Sequence, residues 1–356
     1  MNLPKSLAAS IFICAMFFIG GSVVFGSGEA VSLALDEDDQ IAANDSQAAL
    51  PINVDRIEVA WRDWMARHNV TQSSIAIGRA RELLHSAGEM RSPEQAYPMA
   101  SLSKAITGMC LNQLLAQGPY SWSSTLADLA SVFLQVNLTI NTAMTDLTLA
   151  QIATHTSGLP EILTYGSASH RSVNLSSQST MTRAALGEPD NFGPRGSRIY
   201  SNANYAILGV LIEAMTGEAY AEYCGTHIMI PASATQAGVF GRMASTAGYG
   251  GWSVSVEDYA RFAMHWFDPA QPWMMRPADF AYDAGAQYGM GTNVFPGRGG
   301  TYVGHSGRWT HNDPNKPNIG ALFFVSADGV TVVVNWDQSL DYGLYDDLYQ
   351  VLYDAL

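Results

Sequence analysis

Ser101 and Lys104 stand three residues apart at the head of an apolar run that continues through Ala105, Ile106, Met109, Leu111, Leu114 and Leu115. An α-helix turns once every 3.6 residues, so a hydroxyl and an amine at this spacing share a face and can reach each other. The chain has only three lysines, Lys5, Lys104 and Lys316. One set in an apolar helix either snorkels out of a buried face or activates the serine beside it. Spacing alone does not decide between the two, because a nucleophile of this kind needs partner groups elsewhere in the chain.

Two later segments offer such partners. In Ile199-Tyr200-Ser201-Asn202-Ala203-Asn204-Tyr205, a tyrosine precedes an apolar helix. Its phenol, with an ordinary pKa near 10, serves as a base only where positive charge favours the anion, and Lys104 could supply that charge. Asn202 carries both donors and an acceptor, suited to holding a substrate amide and the lysine together. The other segment is Val303-Gly304-His305-Ser306-Gly307-Arg308-Trp309, just before a terminal hairpin and so expected on an edge strand. Glycines there let a substrate backbone approach, and a free strand N–H can point at a developing oxyanion. Read singly, Tyr-Ser-Asn is a turn before a helix and His305 a satisfied structural histidine.

Together the motifs are far more specific. Ser101-x-x-Lys104, Tyr200-x-Asn202 and His305-Ser306-Gly307, with His155-Thr156-Ser157-Gly158-Leu159-Pro160 between the first two, resemble the serine β-lactamase-related hydrolases. Ser101-Leu102-Ser103-Lys104 and Tyr200-Ser201-Asn202 look most like the class C branch, which also contains DD-peptidases, D-aminopeptidases and carboxylesterases. The similarity runs over roughly residues 53–355. It implies Ser101 as the acylated nucleophile, Lys104 and Tyr200 sharing acid and base work, Asn202 orienting substrate and lysine, and His305 in the place of the third-motif cation. The same resemblance puts the oxyanion on the backbone N–H groups of Ser101 and Arg308, with Ser306 and Gly307 lining the substrate strand. His155, where a helix ends, is read as structural. Three departures weigh against efficient β-lactam hydrolysis: His305, a mostly neutral imidazole and so a weaker anchor for a substrate carboxylate, replaces the usual lysine; Arg308 and Trp309 stand where small residues are common, either supplying the missing charge or narrowing the cleft; and the span from Tyr200 to His305 is short.

The elements that must position these groups are partly legible. Val54, Ile57, Trp61, Trp64, Met65 and His68 recur at helical spacing, and Tyr342, Tyr345, Leu348, Leu352 and Tyr353 form a matching stripe at the other end. Ser74 to Ile77 and Leu83 to His85 read as strands. Ile319 to Ser326 and Val330 to Trp336 are nearly continuous apolar runs joined at Ala327-Asp328-Gly329, a hairpin covered on both faces. Between the two ends the pattern is helical: a helix from Ser101 ended by Gly118-Pro119, one from Leu147 to His155 closed by Gly158, and one from Tyr205 to Met215 stopped by Gly217. A fourth runs from a cap at Ser255 through Phe267, with the Asp258 carboxylate expected to complete a capping box. Leu163 to Asn191 reads as a surface excursion.

The expected fold is therefore α/β of the α+β type, a β-lactamase/transpeptidase-like antiparallel sheet flanked by N- and C-terminal helices. Residues 53–100 and 286–356 form the sheet domain, 101–285 an inserted, mostly helical domain, and the active site lies at their interface. Residues 1–30 have the layout of a signal peptide, with Lys5, the apolar run Leu7 to Phe25 and small residues up to Ala30. Cleavage near Ala30 gives a periplasmic or secreted protein; a retained run over residues 7–26 gives a membrane anchor. Residues 31–52, with Asp36-Glu37-Asp38-Asp39, read as a flexible leader.

Of 356 residues, 47% are hydrophobic and 14% charged, as in a globular protein, and the net charge of −14 argues against a nucleic-acid partner. A membrane partner is expected only if the N-terminal segment stays. Cys14 lies in the signal. Cys110 and Cys224 could bridge in an exported chain, but Cys110 falls within an apolar helix, where a buried thiol acting as a small hydrophobe is the expected role. The histidines are dispersed, so neither a metal nor a cofactor is expected. These readings converge on an exported serine hydrolase acting through an acyl-enzyme on a D-amino-acid amide or peptide, or on a small carboxylic ester, with a small-molecule or peptidoglycan-derived peptide substrate. The alternatives are a class C-type β-lactamase and, from another class, a non-catalytic receptor for penicillin or cell-wall peptides.

Overall fold

The computed structural model describes residues 52–161, 182, 186, 193–269, 287–310, 318–338 and 340–356. The segment expected to be a signal, nearly all of the expected leader and most of the 163–191 excursion lie outside them. Thr182 and Leu186, the described members of that excursion, are both buried, so it is not wholly a surface feature.

Helix α1, Val54–His68, begins where the Asn53 side chain accepts a hydrogen bond from the Arg56 N–H at 3.1 Å, and ends at Asn69, whose φ of 53° is left-handed. It turns Ile57, Trp61 and Trp64 inward. Strands β1, Ser73–Arg79, and β2, Glu82–Glu89, follow, then the two-residue β3, Tyr97–Pro98. Helix α2 spans Ser103–Gln117 and α3 spans Asn202–Thr216, closed by left-handed Gly217. Short strands β4, Ala237–Val239, and β5, Trp252–Val254, form with β3 a small second sheet that nothing in the periodicity announced. Helix α4, Val256–Trp266, leads to β6, Tyr288–Gly289, β7, Thr292–Gly297, β8, Gly300–Trp309, β9, Ile319–Val325, β10, Thr331–Trp336, and the terminal helix α5, Tyr342–Ala355.

The large sheet is antiparallel throughout, in the order β2-β1-β10-β9-β8-β7-β6, so strands from both ends of the chain meet at its centre. Side chains alternate faces along a strand. Ile75, Ile77, Leu322, Phe324, Val332 and Val334 point to the face that α1 and α5 cover. Ala76, Ala321, Phe323, Val325 and Val333 join the helical core, where α4 adds Tyr259 and Phe262. Full burial of a Val, Leu or Phe contributes roughly 1.5–3 kcal/mol over exposure, which is why β9 and β10 lack polar alternation. Among the described residues no helix is long and apolar enough to cross a membrane.

Several local expectations need correction. Cys110 is no free thiol: it is bonded to Cys224, joining α2 to the short helix Tyr220–Cys224 across a sequence separation of 114. The helix expected over Leu147 to His155 is only Leu149–Ala153, because Thr148 and Gln151 form a reciprocal capping box and His155 turns left-handed at φ 60°. At α4 the Ser255 hydroxyl does accept the Asp258 N–H at 3.0 Å, but the Ser255 N–H donates to the Gln236 carbonyl. The Asp258 carboxylate instead accepts from the Gln236 N–H and Arg261. Tyr342, placed in the buried stripe of α5, is 66% exposed, since it opens the first turn beyond the sheet's cover.

Strand β8 is paired unevenly along its length. Strand β7 pairs with it only from Gly300 to Gly304, while β9 pairs with it as far as Trp309. Among the described residues the far half of β8 thus has a strand on one edge only, and at Gly307 it packs against the turn leading into α2.

Candidate active site

Ser101 sits in a single 3₁₀ turn, Ala100–Leu102, directly ahead of α2. Ala100 holds φ 48°, a left-handed conformation that costs a non-glycine residue about 1–2 kcal/mol and is kept only where surrounding contacts impose it. Those contacts are visible at Gly307: a Cβ there would lie 2.4 Å from the Met99 carbonyl oxygen and 3.3 Å from the Ala100 Cβ. The glycine expected to admit a substrate backbone therefore admits the serine's own turn.

The structure brings Ser101, Lys104, Tyr200 and Asn202 together. Lys104 Nζ donates to Ser101 Oγ at 3.1 Å, to Asn202 Oδ1 at 2.6 Å and to the Tyr249 carbonyl at 2.8 Å, so its three donors all have acceptors. Tyr200 donates its hydroxyl to Ser101 Oγ from the other side, also at 3.1 Å. Lys104 is wholly buried, and that burial lowers its pKa to about 7, with the Glu161 carboxylate opposing the shift. Tyr200 moves the other way. Desolvation raises the phenol above its ordinary value, against the hydrogen bond to Ser101, although the side chain keeps 38% of its surface exposed, which lessens the effect. At neutral pH the phenol keeps its proton, and the amine is the group that can be without one.

His155 acts on this group from behind. Its ring lies 4.4 Å from the Tyr200 ring, and its Nδ1 accepts hydrogen bonds from the Ser201 N–H at 3.3 Å and Asn204 Nδ2 at 3.0 Å. Burial, then the Lys104 charge, hold it well below the usual histidine range, so it is neutral and serves as a mount for the Tyr200 segment. Ser201 caps α3 through the Ala203 N–H, and the Asn202 N–H donates to Glu161 at 2.7 Å, a carboxylate at a helix N-terminus where the dipole favours it.

His305 lies on β8 at the cleft, in the place of the third-motif cation. Its Nδ1 donates to the Ser306 carbonyl at 2.5 Å, which leaves Nε2 to accept from the Tyr288 hydroxyl at 3.0 Å. Burial, reinforced by Lys104, pushes its pKa down to about 3. The imidazole is therefore neutral, and positive charge comes from two arginines. Arg308 lies over the Tyr342 ring, its Cζ 5.0 Å from the centroid. Arg198 donates to Asn293 Oδ1 at 2.7 Å.

These groups surround a cavity of about 650 Å³ in which Ser101, Tyr200, Asn202, His305, Ser306 and Arg308 all take part. Glu161, Arg198, Tyr249, Asn293 and Tyr342 line it too, and sequence reasoning named none of them for the site. Arg198 and Glu161 flank the motifs by one or two residues, the one signal that could have found them. Among the described residues no group of His, Cys, Asp and Glu is gathered as a metal site would require.

Comparison with known proteins fits this arrangement. The chain is 29% identical over 140 residues to Protein flp of Staphylococcus aureus (strain MW2), covering 39% of this chain and 27% of that protein, so the match spans about a quarter of the curated relative's length. In fold it resembles the octameric penicillin-binding protein homologue from Pyrococcus abyssi, with TM-score 0.63, 19% identity, and 85% of this chain and 76% of that one covered. It likewise resembles a D-stereospecific amidohydrolase from Streptomyces sp., with TM-score 0.65, 17% identity, and 83% and 98% covered. The Beta-lactamase family model matches residues 62–353, the whole span from α1 to α5 that builds the cleft, and the chain belongs to that family.

Proposed function

We propose that the chain is an exported serine hydrolase that works through an acyl-enzyme on Ser101, taking D-amino-acid amides or short D-peptides. The observation that carries this reading is the position of Ser101 Oγ, 3.1 Å from both Lys104 Nζ and the Tyr200 hydroxyl, with the buried amine brought down to about 7. In this reading neutral Lys104 takes the Ser101 proton as Oγ bonds to the carbonyl carbon. The carbonyl oxygen becomes an oxyanion held by the backbone N–H groups of Ser101 and Arg308. As the C–N bond breaks, Tyr200 gives its proton to the departing nitrogen, and the proton on Lys104 restores the phenol. Water then attacks the ester, its proton returning through the same pair, and the acid and Ser101 are released. Asn202, with its oxygen on Lys104, holds the amine in line with Ser101 and keeps its amide N–H groups turned to the acyl side of the substrate.

Glu161 supports an amine-bearing acyl group. Its carboxylate lines the cavity beside Asn202, where the ammonium of an amino-acid amide would pair with it and an acyl carboxylate would be repelled. The fold likeness to a D-stereospecific amidohydrolase agrees with that class. The Cys110–Cys224 bridge supports export, because such bridges persist in oxidising compartments. The test is a panel of D-alaninamide, L-alaninamide, a p-nitrophenyl ester and a penicillin, run on wild type and Ser101→Ala. The reading expects ammonia release from the D-amide in preference to the L-amide, lost in the variant. Penicillin ring opening as the fastest reaction turns it toward a class C-type β-lactamase, and no turnover of any member turns it toward a receptor.

A further inference from the structure

A second cavity, of about 370 Å³, adjoins the first and shares Arg198, Asn293, His305 and Ser306 with it. Its origin is the short pairing of β7. Because β7 leaves β8 at Gly304, no strand among the described residues covers the edge beside His305, and the cavity there takes its lining from both faces of the sheet, with Phe323 on one and Leu322 on the other. Beyond the edge the lining changes character. Leu322 faces it from β9, Phe295 from β7, and Tyr345 and Tyr349 from α5, on the face that the terminal helices cover. Phe295 and Tyr349 stand edge to face with centroids 5.0 Å apart, a ready wall for a third ring. At the junction stands Arg198, its Cζ 5.1 Å from the Tyr288 ring centroid and one of its donors on Asn293. His305, at the same junction, is neutral and has both ring nitrogens engaged. The exposed Asp346 also borders the second cavity, so an anionic group belongs at Arg198 and a neutral one beyond it.

We propose that this second cavity is a leaving-group subsite for an aromatic or large apolar amino acid, whose carboxylate meets Arg198 and whose side chain crosses the edge of β8 to lie among Phe295, Tyr345 and Tyr349. The inference rests on the acyl-enzyme reading and sharpens it: the substrate class becomes a short peptide with a D-residue on the acyl side and a bulky C-terminal residue as the departing amine. The serine is acylated as before. What the second cavity adds is binding energy on the group that leaves, which raises kcat/KM for one class of peptide over another.

The experiment compares D-alaninamide, D-alanyl-glycine, D-alanyl-D-phenylalanine and D-alanyl-D-phenylalaninamide on the full chain, with Tyr349→Ala and Arg198→Gln as variants. D-Alaninamide, whose leaving group is ammonia and needs no second cavity, reports on the parent reading alone; if wild type does not hydrolyse it, that reading fails and this one with it. Given that turnover, wild type should prefer the phenylalanine dipeptide over the glycine one by at least about tenfold in kcat/KM, since burying an aromatic side chain is strongly favourable and part of that gain is realised on binding. Tyr349→Ala should bring the ratio of these two dipeptides down toward one. Arg198→Gln should narrow the gap between the dipeptide acid and its amide. Equal kcat/KM for the glycine and phenylalanine dipeptides in wild type overturns the proposal whatever the variants do, and so does a preference that survives Tyr349→Ala undiminished in a folded protein.

Discussion

Lys104 Nζ and Ser101 Oγ stand 3.1 Å apart, the amine wholly buried and the hydroxyl on the cavity wall. Burial holds the lysine near 7, far below its usual range, so its protonation state changes where most enzymes work. The sign follows directly. Below pH 7 the amine is charged and cannot accept the serine proton; above it the amine is free. We expect kcat/KM for D-alaninamide to climb with pH through a limb centred near 7. Lys104→Met should lose that limb along with about 10³-fold or more in rate, at the upper part of what a positioned base contributes. A wild-type rate flat between pH 5.5 and 8.5 contradicts the assignment.

Tyr200 is read as the donor to the departing nitrogen, not as the first base. Tyr200→Phe keeps the ring against His155 and removes only the hydroxyl that reaches Ser101. Amide turnover should fall about 10²–10⁴-fold, the range for loss of a general acid. A p-nitrophenyl ester, whose leaving group departs without a proton, should lose far less. Equal losses on the two substrates speak against the division of labour between Tyr200 and Lys104.

Gly307 has no room for a side chain, because a Cβ would come within 2.4 Å of the Met99 carbonyl that begins the serine's turn. Gly307→Ala should therefore displace the turn around Ser101 and lower kcat by at least about tenfold, since an ångström of misplacement at the reacting atom can cost up to 10²-fold. The strand itself, paired with β9 through Trp309, should leave the far-ultraviolet circular dichroism unchanged. An Ala variant with wild-type kcat removes Gly307 from the account.

The Cys110–Cys224 bridge closes a long loop between α2 and the segment after α3. Replacing both cysteines by alanine should lower unfolding free energy by about 2–5 kcal/mol. An equilibrium urea titration reads this as a lower midpoint with a steeper slope, because the unbridged denatured chain exposes more surface, and an unchanged midpoint contradicts a structural role for the bridge.

Much of the scaffold could be read in advance because it rests on periodicity. The stripes of α1 and α5 and the unbroken apolar runs of β9 and β10 are what a sheet covered on both faces requires, and Ser101 with Lys104 is legible because one helical turn joins them. What escaped is what depends on contacts far apart in the chain. The cysteines are 114 residues apart, and nothing near Cys110 announces Cys224. Tyr342 fits the stripe of α5 by spacing, yet it opens the helix where the sheet no longer covers it. Arg198 and Glu161 carry no periodic signal, and their importance arises only when the strand edge and the head of α3 come together. For His305 the motif supplies the position, while the two hydrogen bonds and the burial that hold its imidazole neutral depend on Tyr288 and the strand around it and carry no signal in the motif.

The central claim is that Ser101 is acylated. The most direct measurement is intact-protein mass spectrometry after brief exposure to a slowly released penicillin, with peptide mapping of the adduct. The account predicts one added acyl mass per chain, carried by the peptide containing Ser101 and missing from folded Ser101→Ala. An adduct of the same stoichiometry on Ser101→Ala, or none on wild type that hydrolyses D-alaninamide in the same preparation when tested with a D-amino-acid ester as well, contradicts it.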